Sequence, residues 1–152
     1  MSRIVLLDTG LLGLLTNPRA TPLNLRCTQW LRRLTESGVR VVLPEIADYE
    51  IRRELIRVNK TQGLERLDTL KSRAEYVPLT TETMLLAAEF WAAARQRGRP
   101  TADDRALDGD MILAAQAVLL GRGGDDCVIA TTNVRHLSLF ADAREWMTIE
   151  TA

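Results

Sequence analysis

Residues 4–9 read Ile-Val-Leu-Leu-Asp-Thr, an apolar run that ends abruptly in a carboxylate. A short apolar run of this kind predicts a buried β-strand, here Arg3 to Leu7. Burying an ionised carboxylate without partners costs several kcal/mol or more. An acid placed directly after a buried strand therefore needs compensation from its surroundings, which makes Asp8 the first candidate for a functional residue.

Outward from this strand, short apolar runs alternate with longer segments of helical periodicity. That alternation is typical of an α/β fold with a mainly parallel sheet of four to five strands. The predicted strands are Arg3 to Leu7, Val39 to Leu43, Tyr76 to Leu79, Cys127 to Thr131 and Met147 to Ile149. The predicted helices are Pro22 to Glu36, Pro44 to about Val58, Leu64 to Arg73, Glu82 to Gln96, ended by Gly98-Arg99-Pro100, and Asp110 to Leu120. We expect one domain over residues 1–152.

The charged residues balance, with 20 basic and 20 acidic side chains. Net charge therefore gives no sign of nucleic-acid binding, although nearly all the basic residues are Arg, which favours forked contacts with carboxylate or phosphate. Cys27 and Cys127 match no disulfide or metal pattern. Asp8 interrupts the N-terminal apolar stretch, which argues against a secretion signal there. No stretch of the sequence is long enough to span a bilayer. We expect a cytoplasmic protein that is not associated with a membrane.

Polar residues fall where the predicted strands end. Asp8 follows the first strand, Asn133 follows the fourth, Glu50 lies in the helix after the second, and Asp110 stands at the start of the predicted buried helix. In a parallel α/β sheet, ligands bind outside the carboxyl ends of the strands. The sequence therefore predicts that these four residues meet at one edge of the sheet.

Two of these positions have more than one interpretation. Helical periodicity places both Glu50 and Glu54 within the apolar arc of their helix, so it cannot choose between them. Asp110 has a simpler interpretation as an acid that is stabilised by the helix macrodipole. That interpretation explains Asp110 alone and makes the placement of the other acids near strand ends a coincidence.

Several acids in one pocket repel each other unless cations neutralise them. Oxygen-rich sites of this kind suit Mg²⁺ or Mn²⁺. Such ions, when they lie about 4 Å apart, clamp the attacking and leaving oxygens of a phosphodiester. The pattern thus favours metal-assisted phosphodiester hydrolysis.

The sequence resembles PIN-domain proteins, and specifically VapC-like toxin ribonucleases, over nearly its whole length. Four segments in the same order and spacing carry the resemblance. They are Leu6-Leu7-Asp8-Thr9, the helix segment Tyr49-Glu50-Ile51-Arg52-Arg53-Glu54, Asp110-Met111-Ile112-Leu113-Ala114-Ala115, and Thr131-Thr132-Asn133. Each motif is weak alone, and together they are fairly specific.

The resemblance implies a PIN-like three-layer α/β/α sandwich that cleaves RNA endonucleolytically with Mg²⁺ or Mn²⁺. It also implies a homodimer and a VapB-type or similar antitoxin partner. By this analogy Asp8 and Asp110 bind metal directly, and Glu50, preferred over Glu54, completes the shell directly or through water. Thr9 and Asn133 orient ligands and water, Thr131 has a supporting position, and an activated water is the nucleophile.

The chain departs from this family pattern at two points. Many relatives carry a fourth acid near the Thr-x-Asn segment, whereas this chain has Asn133 and then His136. Gly10 stands where Ser or Asn is common. Asp108, or less readily the pair Asp103 and Asp104, is a candidate replacement for the missing acid.

Several of these features also have a purely structural interpretation. Arg52, Arg53 and Arg57 are either an RNA-binding rim or a solvated helix face that pairs with Glu54 and its neighbours, and the solvated face is somewhat favoured for each alone. The helical hairpin from Pro44 to Arg73 either embraces a partner or covers its own sheet. Trp30, Trp91 and Trp146 lie in or beside predicted apolar elements, so packing in the core or at an interface is favoured over base stacking.

The alternative function, motivated by the missing acid, is a weak or inactive PIN-like module that binds RNA or a protein. A third possibility, a small-molecule phosphohydrolase or receiver-like domain on the same architecture, lacks a supporting phosphate loop or acceptor-site pattern.

Overall fold

The computed structural model describes residues 3–97 and 104–150. Its strands are β1 (Arg3–Leu7), β2 (Arg40–Pro44), β3 (Glu75–Val77), β4 (Asp126–Thr131) and β5 (Ala143–Glu145). Its α-helices are α1 (Thr9–Thr16), α2 (Pro22–Glu36), α3 (Glu45–Arg57), α4 (Thr61–Arg73), α5 (Thr81–Gln96) and α6 (Asp104–Gly121). Two short 3₁₀ helices flank β5, at Leu137–Leu139 and Trp146–Thr148.

The five strands form one sheet in the order β3-β2-β1-β4-β5, and every neighbouring pair is parallel. In the centre of the sheet, Val5 of β1 pairs with Val41 on one side and Val128 on the other. The predicted parallel α/β sheet is thereby confirmed. Because all strands run in the same direction, their carboxyl ends lie along a single edge.

Helices cover both faces of the sheet. Side chains of α1 and α2, including Leu11, Cys27 and Trp30, pack with Val5 and Val128 on one face. On the other face Leu113 of α6 packs with strand residues such as Ile129, and α5 lies against α6. The predicted three-layer α/β/α sandwich is therefore confirmed.

The last predicted strand is wrong. Residues Met147 to Ile149 do not pair with the sheet, and β5 lies a few residues earlier, at Ala143–Glu145. Trp146 and Ile149, which follow β5, are buried against α2 instead. The Trp30 indole N–H donates to the Ile149 carbonyl at 3.0 Å, and the Trp30 and Trp146 rings meet edge to face at 5.5 Å. Apolar character thus reflected packing on a helix, not strand pairing.

Other boundaries differ for local reasons. The strand β3 ends at Val77, because Pro78 has no amide N–H to offer to the neighbouring strand. The helix α4 begins at Thr61, earlier than the predicted Leu64, with Gly63 inside it. Leu55 packs so closely on Gly63 that a Cβ atom there would lie 2.8 Å from its side chain. The predicted helix stop at residues 98–100 lies outside the described residues.

The buried helix begins earlier than predicted. It starts at Asp104, so Asp110 is the seventh residue of α6 and not its first. The influence of the helix macrodipole falls off within the first turn. The macrodipole interpretation of Asp110 is therefore excluded.

The helical hairpin of α3 and α4 packs on its own chain. Ala47, Ile51 and Leu70 contact the core on the face of α1 and α2, and Leu67 is fully buried. Within the described ranges, no helix has the length and apolar character needed to cross a lipid bilayer.

Candidate functional site

Asp8 joins the end of β1 to the start of α1. As the N-cap of α1, its Oδ1 accepts the Leu11 amide N–H at 2.8 Å. Its Oδ2 accepts the Thr131 hydroxyl from β4, and the Thr132 amide also donates to the carboxylate. These donors supply part of the compensation that an acid only 8% exposed requires.

The compensation is incomplete. Burial raises the pKa of Asp8 above its ordinary value, and the three hydrogen bonds lower the pKa without reversing this effect. The negative charge of Glu145 raises the pKa further. Asp8 thus lies in surroundings that favour either a proton or a nearby cation.

Glu50 is brought to this edge by α3. The Thr9 hydroxyl of α1 donates to Glu50 Oε1 at 2.9 Å, and the side chain is only 23% exposed. The Glu50 carboxylate also lies against the backbone of α6: a Cβ atom at Gly109 would be 2.5 Å from Glu50 Oε2. Glu50 therefore bridges α1 and α6.

The structure separates Glu50 from Glu54, which periodicity could not do. Glu54 is 53% exposed and pairs with Arg57, whose Nε donates to Glu54 Oε2 at 3.0 Å. This contact lowers the pKa of Glu54. Glu54 faces solvent, and Glu50 is the acid that points inward.

Asp110 completes the group from α6. Its pKa is raised to about 6, chiefly by burial and then by the negative charges of Glu50 and Asp8. Each of the two other acids thus acts electrostatically on Asp110. Three carboxylates from three separate elements share one field at the carboxyl edge of the sheet.

The carboxylates do not surround a common point as they stand. Among residues 3–97 and 104–150, no group of three or more Asp, Glu, His or Cys side chains is close enough to enclose an ion. Asp8 is turned toward Thr131 and Leu11, and Glu50 toward Thr9. The donor set nevertheless suits a hard divalent ion, since carboxylate oxygens are the ligands that Mg²⁺ and Mn²⁺ prefer.

The remaining predicted residues divide. Thr131 contacts Asp8 directly, and its Oγ1 also accepts the Asn133 amide N–H at 2.9 Å. The Asn133 side chain is exposed, and its Oδ1 accepts only the Arg135 amide, at 3.4 Å, among the described residues. Among the described residues, no contact joins the side-chain amide of Asn133 to a carboxylate of Asp8, Glu50 or Asp110. A direct role for the Asn133 side chain therefore has no support.

The proposed replacement acids fare similarly. Asp108 is exposed, and it lies about 200° around α6 from Asp110, on the opposite side of the helix. The expected role of Asp108 as a metal ligand is therefore unsupported. Asp103 lies outside the described residues, as does the side chain of Asp104.

Sequence reasoning missed Glu145. This residue ends β5 and pairs in register with Thr131 of β4, and its charge acts on Asp8. Because paired residues on parallel strands project to the same face of a sheet, Glu145 stands beside Thr131 in the row that leads to Asp8. The signal was a carboxylate at the end of a strand, and it was hidden because the last strand was predicted too late.

Gly10 has a local explanation. A Cβ atom at this position would lie 2.6 Å from Thr132 Oγ1 and 3.6 Å from Asp8 Oδ1. The small residue allows the turn after β4 to approach α1 closely. That approach brings the Thr132 amide to Asp8.

Comparisons with known proteins agree with this architecture. The PIN domain family model matches residues 5–136. Similar solved structures include VapBC2 from Rickettsia felis bound to a promoter DNA fragment (TM-score 0.68, 15% identity, covering 93% of this chain and 97% of that one). They also include FitAcB from Neisseria gonorrhoeae (0.67, 18%, 95% and 99%) and VapBC-1 from nontypeable Haemophilus influenzae (0.66, 18%, 95% and 99%). The search of curated proteins found no match.

Proposed function

We propose that this chain, which belongs to the PIN domain family, is a divalent-metal-dependent endoribonuclease that hydrolyses RNA phosphodiester bonds. The observation that carries the proposal is the convergence of Asp8, Glu50 and Asp110, in which the charges of Glu50 and Asp8 both act on the buried Asp110. Like charges buried together disfavour the ionised forms. A cation that binds between them relieves this repulsion, so the pocket favours a metal ion.

The metal ligands in this proposal are Asp8 and Asp110, with Glu50 contributing directly or through water and Mg²⁺ or Mn²⁺ as the ion. When bound, the ion supplies charge stabilisation at phosphate oxygens and lowers the pKa of water. The contacts of the chain's own residues support this assignment. Thr131 and the amides of Leu11 and Thr132 hold Asp8 in place.

Glu50 is held in a complementary way. The Thr9 hydroxyl fixes one carboxylate oxygen, and Gly109 leaves space for the other against α6. Preorganised groups of this kind lower the reorganisation needed during reaction. Glu145 is positioned to raise the negative potential beside Asp8 and so to strengthen attraction for a cation.

The biological role that we propose is that of a VapC-like toxin, acting in the cytoplasm as a homodimer and restrained by a VapB-type antitoxin. The resemblance in the four motifs supports this role. The similar solved structures carry VapBC or FitAcB names, and at under 20% identity they support the shared fold alone. The antitoxin partner and the dimer are therefore parts of the proposal.

A cleavage assay tests the activity. Purified protein is incubated with a pool of cellular RNA and Mg²⁺ or Mn²⁺, with and without EDTA, beside the Asp8→Asn and Glu50→Gln variants. We expect cleavage that needs the metal and that falls by roughly a hundredfold or more in each variant. Glu54→Gln is the matched control, because this acid lies on the same helix but faces solvent.

Two results would count against the proposal. If the wild-type protein leaves RNA intact with either metal but still binds it, a non-cleaving module is the better description. If Glu54→Gln loses as much cleavage as Glu50→Gln, the inward pocket is not the site of the chemistry.

A further inference from the structure

We propose that Arg53 is the residue that binds an RNA phosphate beside the acid cluster of Asp8, Glu50 and Asp110, held in place by the ring of Tyr49. This inference rests on the proposed ribonuclease function and adds a substrate contact to it. Three arginines of α3 were equal candidates for an RNA-binding rim in the sequence. Their contacts in the structure distinguish them.

Arg52 and Arg57 are already committed to carboxylates. Arg52 donates to the buried Asp48 at 3.0 Å and pairs with Asp68 of α4 at 2.9 Å. Arg57 donates two hydrogen bonds to Glu54. Both guanidinium groups therefore join parts of the fold or its surface and have few donors left for a phosphate.

Arg53 is in a different position. Its side chain is 58% exposed, and its Nη2 lies 3.9 Å from Glu50 Oε2, which is too long for a hydrogen bond. Within the described part of the chain, no hydrogen bond from its guanidinium is found. Arg53 is thus a cation beside a site acid, with its donors open to a ligand.

Tyr49 gives this arginine a fixed orientation. The Arg53 guanidinium carbon lies 5.0 Å from the centre of the Tyr49 ring, within the range of a cation–π contact. Tyr49 itself is 56% exposed, although it is a large ring. The ring therefore supports the guanidinium through a cation–π contact and keeps it beside Glu50.

Electrostatics explains why a cation is needed there. RNA carries one negative charge per phosphate. The carboxylates of Asp8, Glu50 and Asp110 repel these phosphates. A guanidinium offers a rigid fork of donors that matches two phosphate oxygens. Placed next to Glu50, Arg53 attracts the strand toward the acids and offsets part of their repulsion.

Binding is measured separately from cleavage. A fluorescent single-stranded RNA of mixed sequence is titrated, at several salt concentrations, into the Asp8→Asn protein with and without Arg53→Ala. We expect roughly a five- to tenfold loss of affinity, and a slope of log affinity against log salt that is shallower by about 0.7, the value for one lost phosphate contact on a single strand. Arg57→Ala, one turn further along α3, is the matched control and leaves both quantities unchanged.

Further variants distinguish phosphate binding from a structural role. In the cleaving protein, Arg53→Ala raises KM much more than it lowers kcat, and Arg53→Lys restores part of the loss. Tyr49→Ala weakens binding about two- to fivefold, the equivalent of an exposed cation–π contact. Tyr49→Phe retains the aromatic ring beneath the guanidinium and therefore keeps the affinity. Thermal melts confirm that each variant is folded.

The outcomes separate this inference from the proposed function. If Arg53→Ala matches Arg57→Ala in affinity and salt slope, the phosphate contact is refuted while cleavage still stands. If the wild-type protein binds RNA through Arg53 but never cleaves it, the contact stands and the nuclease proposal fails.

Discussion

The acids of the site differ in how well the fold satisfies them. Asp8 accepts three hydrogen bonds and Glu50 accepts one from Thr9, whereas burial and the neighbouring charges leave Asp110 with a pKa of about 6. Asp110 is thus the acid of the three whose ionised form the fold destabilises most clearly. Stability given up at one residue is a common feature of functional sites.

This imbalance predicts an effect of pH on stability. The raised pKa means that native Asp110 keeps its proton longer than the unfolded chain does, so its ionisation destabilises the fold as pH rises from about 4 to above 6. We expect Asp110→Asn to increase the free energy of unfolding at pH 7.5 by roughly 1 to 3 kcal/mol, and by less at pH 5. Urea unfolding in EDTA measures both; an equal gain at the two pH values would contradict the assignment.

Gly109 provides a second test at a single residue. Alanine is preferred over glycine within a helix by about 1 kcal/mol, but its Cβ would displace the Glu50 carboxylate, which lies 2.5 Å away. We expect Gly109→Ala to fold with unchanged or higher stability and to lose cleavage ten- to hundredfold. Gly121→Ala is the control, since its Cβ would meet only Cys127 at an ordinary 3.5 Å. Full activity in Gly109→Ala would show that the position of Glu50 is unimportant.

Some site residues were predictable from sequence and others were not. Asp8 and Asp110 could be predicted because each stands beside a distinct apolar pattern. Helical periodicity could not choose Glu50 over Glu54, because the choice depends on how α3 packs against α1 and α6. Only the family resemblance favoured Glu50 before the structure was known. Glu145 was missed because short edge strands carry little hydrophobic signal.

At the scale of elements, the C-terminal segment shows how an apolar run can be misread. Trp146 and Ile149 are buried against α2 and not in the sheet. Three-residue strands such as β3 and β5 are defined by their neighbours more than by their own sequence. Long helices with regular periodicity, such as α2, could be predicted nearly to the residue.

The docking of this segment can be tested through Trp30. Trp30→Phe keeps an aromatic ring but removes the N–H that donates to the Ile149 carbonyl, leaving a buried acceptor unpaired. We expect the free energy of unfolding to fall by about 1 to 3 kcal/mol, with cleavage per folded molecule unchanged. The control is Trp91→Phe, since Trp91 is 36% exposed; an equal loss there would show that the hydrogen bond is not responsible.

At the scale of the whole molecule, the alternation of apolar runs and helical segments was enough to predict a parallel α/β sandwich. The rule that ligands bind at the carboxyl edge then predicted that Asp8, Glu50 and Asp110 would lie near one another at that edge. The order of the strands was not predictable, because it depends on contacts between residues far apart in sequence. Asp8 and Thr131, for example, are 123 positions apart and meet through the pairing of β1 with β4.

Metal binding should stabilise the whole fold. An ion that binds only the native state at 100 times its Kd adds about 2.7 kcal/mol, which for a chain of this size raises Tm by roughly 5 to 10 °C. Thermal melts with Mn²⁺ and with EDTA measure this shift. We expect the shift to disappear in Asp8→Asn, and a shift of the same size in that variant would place the ion elsewhere.

The most direct test is an anomalous difference map from crystals of the wild-type protein soaked in Mn²⁺ at about pH 8, where Asp110 is ionised. We expect a peak within direct coordination distance of carboxylate oxygens of both Asp8 and Asp110, with Glu50 in the same shell or one water away. A well-ordered pocket with no peak between these residues, or with Mn²⁺ bound only at other carboxylates, would contradict the shared metal site.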